Sequence, residues 1–247
     1  YQTHEATLTG VMRAAGSTTI ADMSTSLLEW CENYGEQVGL TNADAILLCR
    51  GFIVVEGLHD SKVLRKFFWS ELDDARIQLL HLYGTQGAPS LIDSEYLVGL
   101  GKPLGILFDN IRKSKDQIMT QEDKYLTNEE ISLKRIRVAL EQKGVHPEIG
   151  GHPYPDVMCA LPEEAVRQAF PEADFPGWEE LEERHSAAQK ARSLNFKKFA
   201  LGEMGLATTG VSATRFIDEV LGHCAEDAVP RQGLQEAVNE LLAHLTK

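Results

Sequence analysis

Short apolar runs alternate with amphipathic stretches through the middle of the chain. "GFIVVEG" (51–57) is β-branched and apolar, the pattern of a strand covered on both faces. "DSKVLRKFFWSEL" follows, with Val63, Leu64, Phe67 and Phe68 at helical spacing. "RIQLLHLYG" predicts a second strand, "APSLIDSEYLVGLG" a second helix ending in glycine, and "KPLGILFDN" a third strand. This β-α-β-α-β order with short connections predicts a parallel α/β sheet flanked by helices.

On either side the pattern changes. Residues 1–24 are rich in Thr, Gly, Ala and Ser, and read as a linker or the end of an upstream unit. "SLLEWCENYGEQVGL" and "TNADAILLCR" predict two short helices before the first strand. After the third strand, "TNEEISLKRIRVALEQKG" predicts a longer helix, with Thr127 and Glu130 as its capping box and Gly144 as its stop. "YPDVMCALP" is the candidate fourth strand. From Glu163 onward the chain reads as helical, and the last helix carries Leu234, Val238, Leu241, Leu242 and Leu245 on one face. The expected division is 1–24, a core over 25–160 and a helical C-terminal part over 161–247.

Composition narrows the function. The chain has 247 residues and a formal charge of −13, which repels a polyanion at long range and argues against nonspecific coating of DNA. An acidic total still suits a site that gathers carboxylates to hold cations. No apolar run reaches the ~20 residues of a membrane span. Four separated cysteines without a C-x-x-C pair argue against zinc and fit reduced thiols in the cytoplasm. His81, His146 and His152 lack ligand spacing.

The acids have the more informative placement. Glu56 closes the first strand, Asp109 closes the third, and Asp60 lies where a turn at Gly57 can fold it back toward Glu56. Ligands collect outside the carboxyl ends of parallel strands. Converging acids repel unless neutralised, and Mg²⁺ or Mn²⁺ is the natural neutraliser. Asp60 also suits a helix-capping role, and Asp109 a turn.

These residues carry a resemblance. "VVEGLHD" resembles the first signature of the TOPRIM fold, a strand followed by E-G-x-x-D, and "LGILFDN" resembles its second, a strand ending in D-x-D. The likeness spans roughly residues 50 to 160. It implies a Rossmann-like TOPRIM sheet whose acids Glu56, Asp60 and Asp109 bind Mg²⁺ or Mn²⁺ for phosphoryl transfer. The sequence departs at Ile111, where the last acid of D-x-D is missing.

Among TOPRIM proteins the chain is most similar to the catalytic domain of the OLD-family nucleases, which follows an ATPase domain. That likeness implies a second metal set at Asp156 with Glu163 or Glu164, and a catalytic lysine at Lys197. Arg112, Lys113 and Lys115 become candidates for holding DNA phosphates, although a solvated loop explains them equally well. No Walker motif occurs, so an ATPase would lie upstream. The expectation is a metal-dependent endonuclease acting on DNA, with homo-oligomerisation open. The alternative is a degenerate TOPRIM module with a regulatory or assembly role.

Overall fold

The computed structural model describes residues 9–14, 17–22, 49–82, 101–189 and 195–247. Strands β1 (Thr9–Ala14) and β2 (Ser17–Asp22) pair antiparallel, so the stretch read as a linker carries a hairpin. Then follow β3 (Gly51–Val55), α1 (Leu58–Asp74), β4 (Ile77–His81), β5 (Leu104–Phe108), α2 (Lys115–Thr120), α3 (Asn128–Glu141) and β6 (Glu148–Gly151). The C-terminal part holds α4 (Glu163–Ala169), α5 (Trp178–Gln189), α6 (Phe196–Glu203), α7 (Ala213–His223) and α8 (Gln232–Leu245). The expected helix over 26–40, the one over 88–101 apart from Gly101, and all but the last two residues of the one over 41–50 lie outside the described residues.

Strands β3 to β6 form one parallel sheet in the order β4-β3-β5-β6. Every residue of β3 and β5 is buried, as expected of strands covered on both faces. Their side chains alternate between two cores. Ile53, Val55 and Leu107 join the core made by α1 and the C-terminal helices. Phe52, Val54, Ile106 and Phe108 pack instead with Leu133, Ile136 and Leu140 of α3. The result is an α/β sheet flanked by helices, with the C-terminal helices all on one face.

Helix α8 shows how the patterning works. Leu234, Val238, Leu241, Leu242 and Leu245 are all buried, and burial of each such side chain stabilises by about 2 kcal/mol. Leu241 sits against Gly105 of β5, where an added Cβ would come within 3.0 Å of its methyl carbons. Glycine in the middle of that strand makes room for the helix.

The fourth strand lies elsewhere than predicted. It is Glu148–Gly151, and the segment from Tyr154 to Pro162 holds a 3₁₀ turn over Val157–Ala160. Pro155 has no N–H to give to a ladder, and the Asp156 side chain accepts from Met158 N–H, which starts the turn. Gly151 earns its place through close approach: a Cβ there would lie 2.2 Å from Ile111 Cγ1 and 2.3 Å from the Phe108 carbonyl.

Candidate metal centre

Strand pairing decides where the acids go. Val55 of β3 is in register with Leu107 of β5. Glu56 and Asp109 therefore emerge from adjacent strands at the same carboxyl edge, one residue apart in level. The strand order reverses direction at this pair, as at the ligand-binding crevices of open α/β sheets. Asp60 arrives from the first turn of α1, where its Oδ2 accepts the Gly57 N–H at 3.0 Å. It caps the helix and faces the edge at once.

Asp109 is held from the far side. Its Oδ2 accepts the Val157 N–H at 3.2 Å, and its Oδ1 lies 3.1 Å from His152 Nε2. That second approach is misaligned for hydrogen bonding, so Oδ1 is buried and meets no N–H donor, and His152 Nδ1 is likewise unpartnered. One donor atom each from Asp60, Asp109 and His152 lies within 4.8 Å of the others, and all three residues are buried. Glu56 is half-buried at the rim and stands outside this trio.

Asp156 and Lys197 complete the group. Asp156 Oδ2 lies 3.0 Å from Lys197 Nζ, which α6 presents one residue after Phe196 is locked into the core. The segment carrying His152 and Asp156 is clamped by Arg231. Its guanidinium donates to the Cys159 carbonyl at 3.0 Å and to Glu182 at 2.7 Å, and stacks 4.4 Å above the Tyr154 ring.

The electrostatics are those of crowded acids. Burial, then Asp60 and Glu129, raise the Glu56 carboxyl to about 7. Burial, followed by Asp109 and Asp156, holds Asp60 well above the usual carboxylate range. Burial, then Asp156 and Glu56, does the same to Asp109. Burial lowers His152 to about 4, so the imidazole is neutral at physiological pH. Burial also works to lower Lys197, but Asp156, Asp109 and Asp60 outweigh it and keep the ammonium charged.

A pH dependence follows. A carboxyl raised on folding contributes stability that is present below its unfolded pKa and lost as pH rises. For Glu56 that loss runs from about 4.5 to about 7. His152 acts in the opposite sense but only between about 6.5 and about 4. From pH 6.5 to 8, metal-free protein should therefore lose on the order of 1 kcal/mol through Glu56. Chemical denaturation across that window should show the decline in the wild type and a shallower one in Glu56→Gln; parallel curves would contradict the assignment.

The remaining expected residues are not gathered here. Glu163 accepts the Trp178 N–H at 2.9 Å and pairs with Arg167 at 3.1 Å, while Glu164 accepts from Gln168 at 3.0 Å on the exposed face of α4. Both have local partners in the helix, and neither belongs to the trio of Asp60, Asp109 and His152. Lys113 donates to the Tyr125 carbonyl and lies 3.6 Å from Glu130, and Lys115 pairs with Glu148 at 2.5 Å. Those two lysines are built into the scaffold. Arg112 is exposed and donates to Asn110 Oδ1 at 3.1 Å.

Two residues carry more than the sequence pattern predicts. His152 lacks ligand spacing along the chain, yet it joins the trio from the end of β6. Glu130 does more than cap α3: its Oε1 also accepts the Arg112 and Lys113 N–H groups at 2.9 and 3.0 Å. The buried glutamate thereby ties down the loop that leaves Asp109.

An oxygen-rich donor set with a buried carboxylate oxygen lacking a donor fits a divalent cation. Among the described residues, no helix is long and apolar enough to cross a membrane, and Cys49, Cys159 and Cys224 are buried. No family model and no curated protein matches the chain. Among solved structures the chain is similar to the C-terminal region of the OLD protein of Xanthomonas campestris pv. campestris, at 20% identity and a TM-score of 0.39, over 81% of this chain and 94% of that one. At that distance the fold and the site rest on this chain's own geometry.

Proposed function

We propose that the chain is a divalent-metal-dependent nuclease domain that cleaves phosphodiester bonds in DNA. The observation that carries this reading is the convergence of Glu56, Asp60, Asp109 and Asp156, with Lys197, at the carboxyl edge of a parallel sheet. Asp60 and Asp109 would hold Mg²⁺ or Mn²⁺, with Glu56 at the rim. A cation bound there supplies Lewis-acid polarisation of the phosphoryl oxygen and a water of lowered pKa.

The chain's own residues supply the rest. Glu56 stands half-buried at the rim, where its carboxylate can reach the cation or a water beside it. Lys197 places a fixed positive charge where negative charge grows on the transferring phosphoryl group, and Asp156 orients it. Because Glu163 and Glu164 are committed to local structure and Asp156 to Lys197, one cation is better supported than two. DNA as substrate and an upstream ATPase domain belong to this reading as the sequence resemblance implies them; a cytoplasmic setting follows from the cysteine usage, and self-association stays open.

The test is nicking of supercoiled plasmid at pH 8 and low salt with Mg²⁺ or Mn²⁺. Nicked circles should form, chelation should stop them, and Glu56→Ala should slow the reaction about 100-fold or more. Equal rates for the variant reject the role given to Glu56. A second reading, a metal-binding regulatory module without cleavage, is favoured by one observation: the position of the missing acid is filled by a buried Ile111. Metal binding without nicking in the wild type would select it.

A further inference from the structure

At position 111 the resemblance calls for an acid, and the fold excludes one. Asn110 turns the chain through the left-handed region, with φ 55°. Its N–H donates to the Tyr154 carbonyl at 2.8 Å, and its carbonyl accepts from Thr127 Oγ1 at 3.2 Å. The turn sends Ile111 into the α3-side core, against the bare face of Gly151. A carboxylate in that position would be buried among apolar groups with no partner.

The neighbouring strand supplies a different group at the same level. Ile111 N–H donates to the His152 carbonyl at 3.0 Å, so the loop leaving β5 and the end of β6 are joined at these two residues. Where one strand has lost an acid, its partner brings an imidazole. His152 is 1% exposed, and its Nε2 stands 3.1 Å from Asp109 Oδ1. Ligand atoms at ordinary metal distances on neighbouring positions of one ion are roughly 3 Å apart. A structural His–Asp hydrogen bond would account for the proximity, but the alignment fails and leaves Oδ1 buried without a donor.

We propose that His152 replaces the missing acid as a nitrogen ligand, making Asp60, Asp109 and His152 a mixed site that prefers Mn²⁺, Co²⁺ or Zn²⁺ over Mg²⁺. This rests on the metal-binding reading above and adds the ligand that decides ion choice. Mg²⁺ is a hard ion that keeps to oxygen donors, whereas imidazole suits borderline first-row ions. Exchanging a carboxylate for a neutral ring also removes one negative charge from the donor set. Both changes shift selectivity in the same direction.

The experiment is electron–nuclear double resonance on the folded chain loaded with Mn²⁺ alone, with Co²⁺ and Mg²⁺ titrated in parallel by calorimetry. Wild type should show directly coupled ¹⁴N that changes to ¹⁵N in histidine-labelled protein. The coupling should vanish in His152→Gln and persist in His59→Gln, since His59 contacts Thr214 on the surface. Co²⁺ affinity of His152→Gln should fall about tenfold or more, with Mg²⁺ affinity changing less than about threefold. If the Gln variant fails to fold, absence of nitrogen coupling in the wild type still overturns the inference. Mn²⁺ bound without nitrogen coupling overturns the inference and leaves the metal site standing; Mn²⁺ that does not bind overturns both.

Discussion

Asp109→Asn, in metal-free buffer at pH 8, should be more stable than the wild type by about 2 kcal/mol. The wild-type carboxyl is buried beside Asp60, Asp156 and Glu56, and its folded pKa lies well above the usual 3.8. Deprotonation at pH 8 therefore costs folding energy. The amide keeps the shape and still accepts the Val157 N–H through its oxygen. Its NH₂ faces the neutral His152 ring that the carboxylate oxygen faced without a hydrogen bond. The change removes charge and leaves packing alone.

A divalent cation should reverse that order. Ligand present at about a hundred times its dissociation constant stabilises the folded state by about 2.7 kcal/mol, and the variant forfeits most of that gain. Urea denaturation in chelator, then in saturating Mn²⁺, reads both halves. A wild type more stable than the variant in chelator would mean that Asp109 is a structural anchor rather than a carboxylate held for a cation.

The second large effect lies one residue shell away. Glu130→Ala should cost about 3–5 kcal/mol. The Glu130 side chain is fully buried, and it accepts N–H groups from Arg112, Lys113 and Thr127 at 2.9–3.0 Å, with the Lys113 ammonium 3.6 Å away. Truncation leaves three backbone donors without an acceptor, each a penalty of about 1–3 kcal/mol. It also loosens residues 110–114, through which Asp109 is aimed. Glu130→Gln, which keeps one acceptor oxygen, should cost less.

The acid limb of the stability profile should show Glu130 separately. Burial works to raise its carboxyl, but the hydrogen bonds from Thr127, Arg112 and Lys113 outweigh it, and the pKa is lowered. A depressed carboxylate stabilises above its unfolded pKa of about 4.5 and loses that contribution as pH falls. Denaturation of the alanine variant at pH 7 is the direct check. A cost below about 1 kcal/mol would show that water replaces the carboxylate freely.

Much of the architecture was legible because it depends on local patterns. The runs at β3, β4 and β5 are apolar enough to declare buried strands, and the Thr127–Glu130 box declares the start of α3. Placing Glu56 and Asp109 at one edge needed only the inference that their strands are neighbours. Strand β6 was illegible for a physical reason. "EIGG" has one apolar side chain, and its fit beside β5 depends on the space Gly151 leaves for Ile111.

His152 illustrates a different blindness. Ligand spacing searches along the chain, whereas Asp60, Asp109 and His152 meet from three elements and share no local pattern. Glu163 and Glu164 show how local partners compete with a distant site. Acids at a helix start satisfy nearby N–H groups and i+4 partners first, and the local roles prevailed. Proximity to the site in sequence carried no information about direction in space.

On the proposed function, the carboxylates at this edge exist to hold a divalent cation. Crystals soaked in Mn²⁺ and measured at its absorption edge test it most directly. An anomalous peak bounded by the carboxylates of Asp60 and Asp109 is expected. Manganese found elsewhere on the surface, with Asp109 contacting only His152 and Val157, would contradict it.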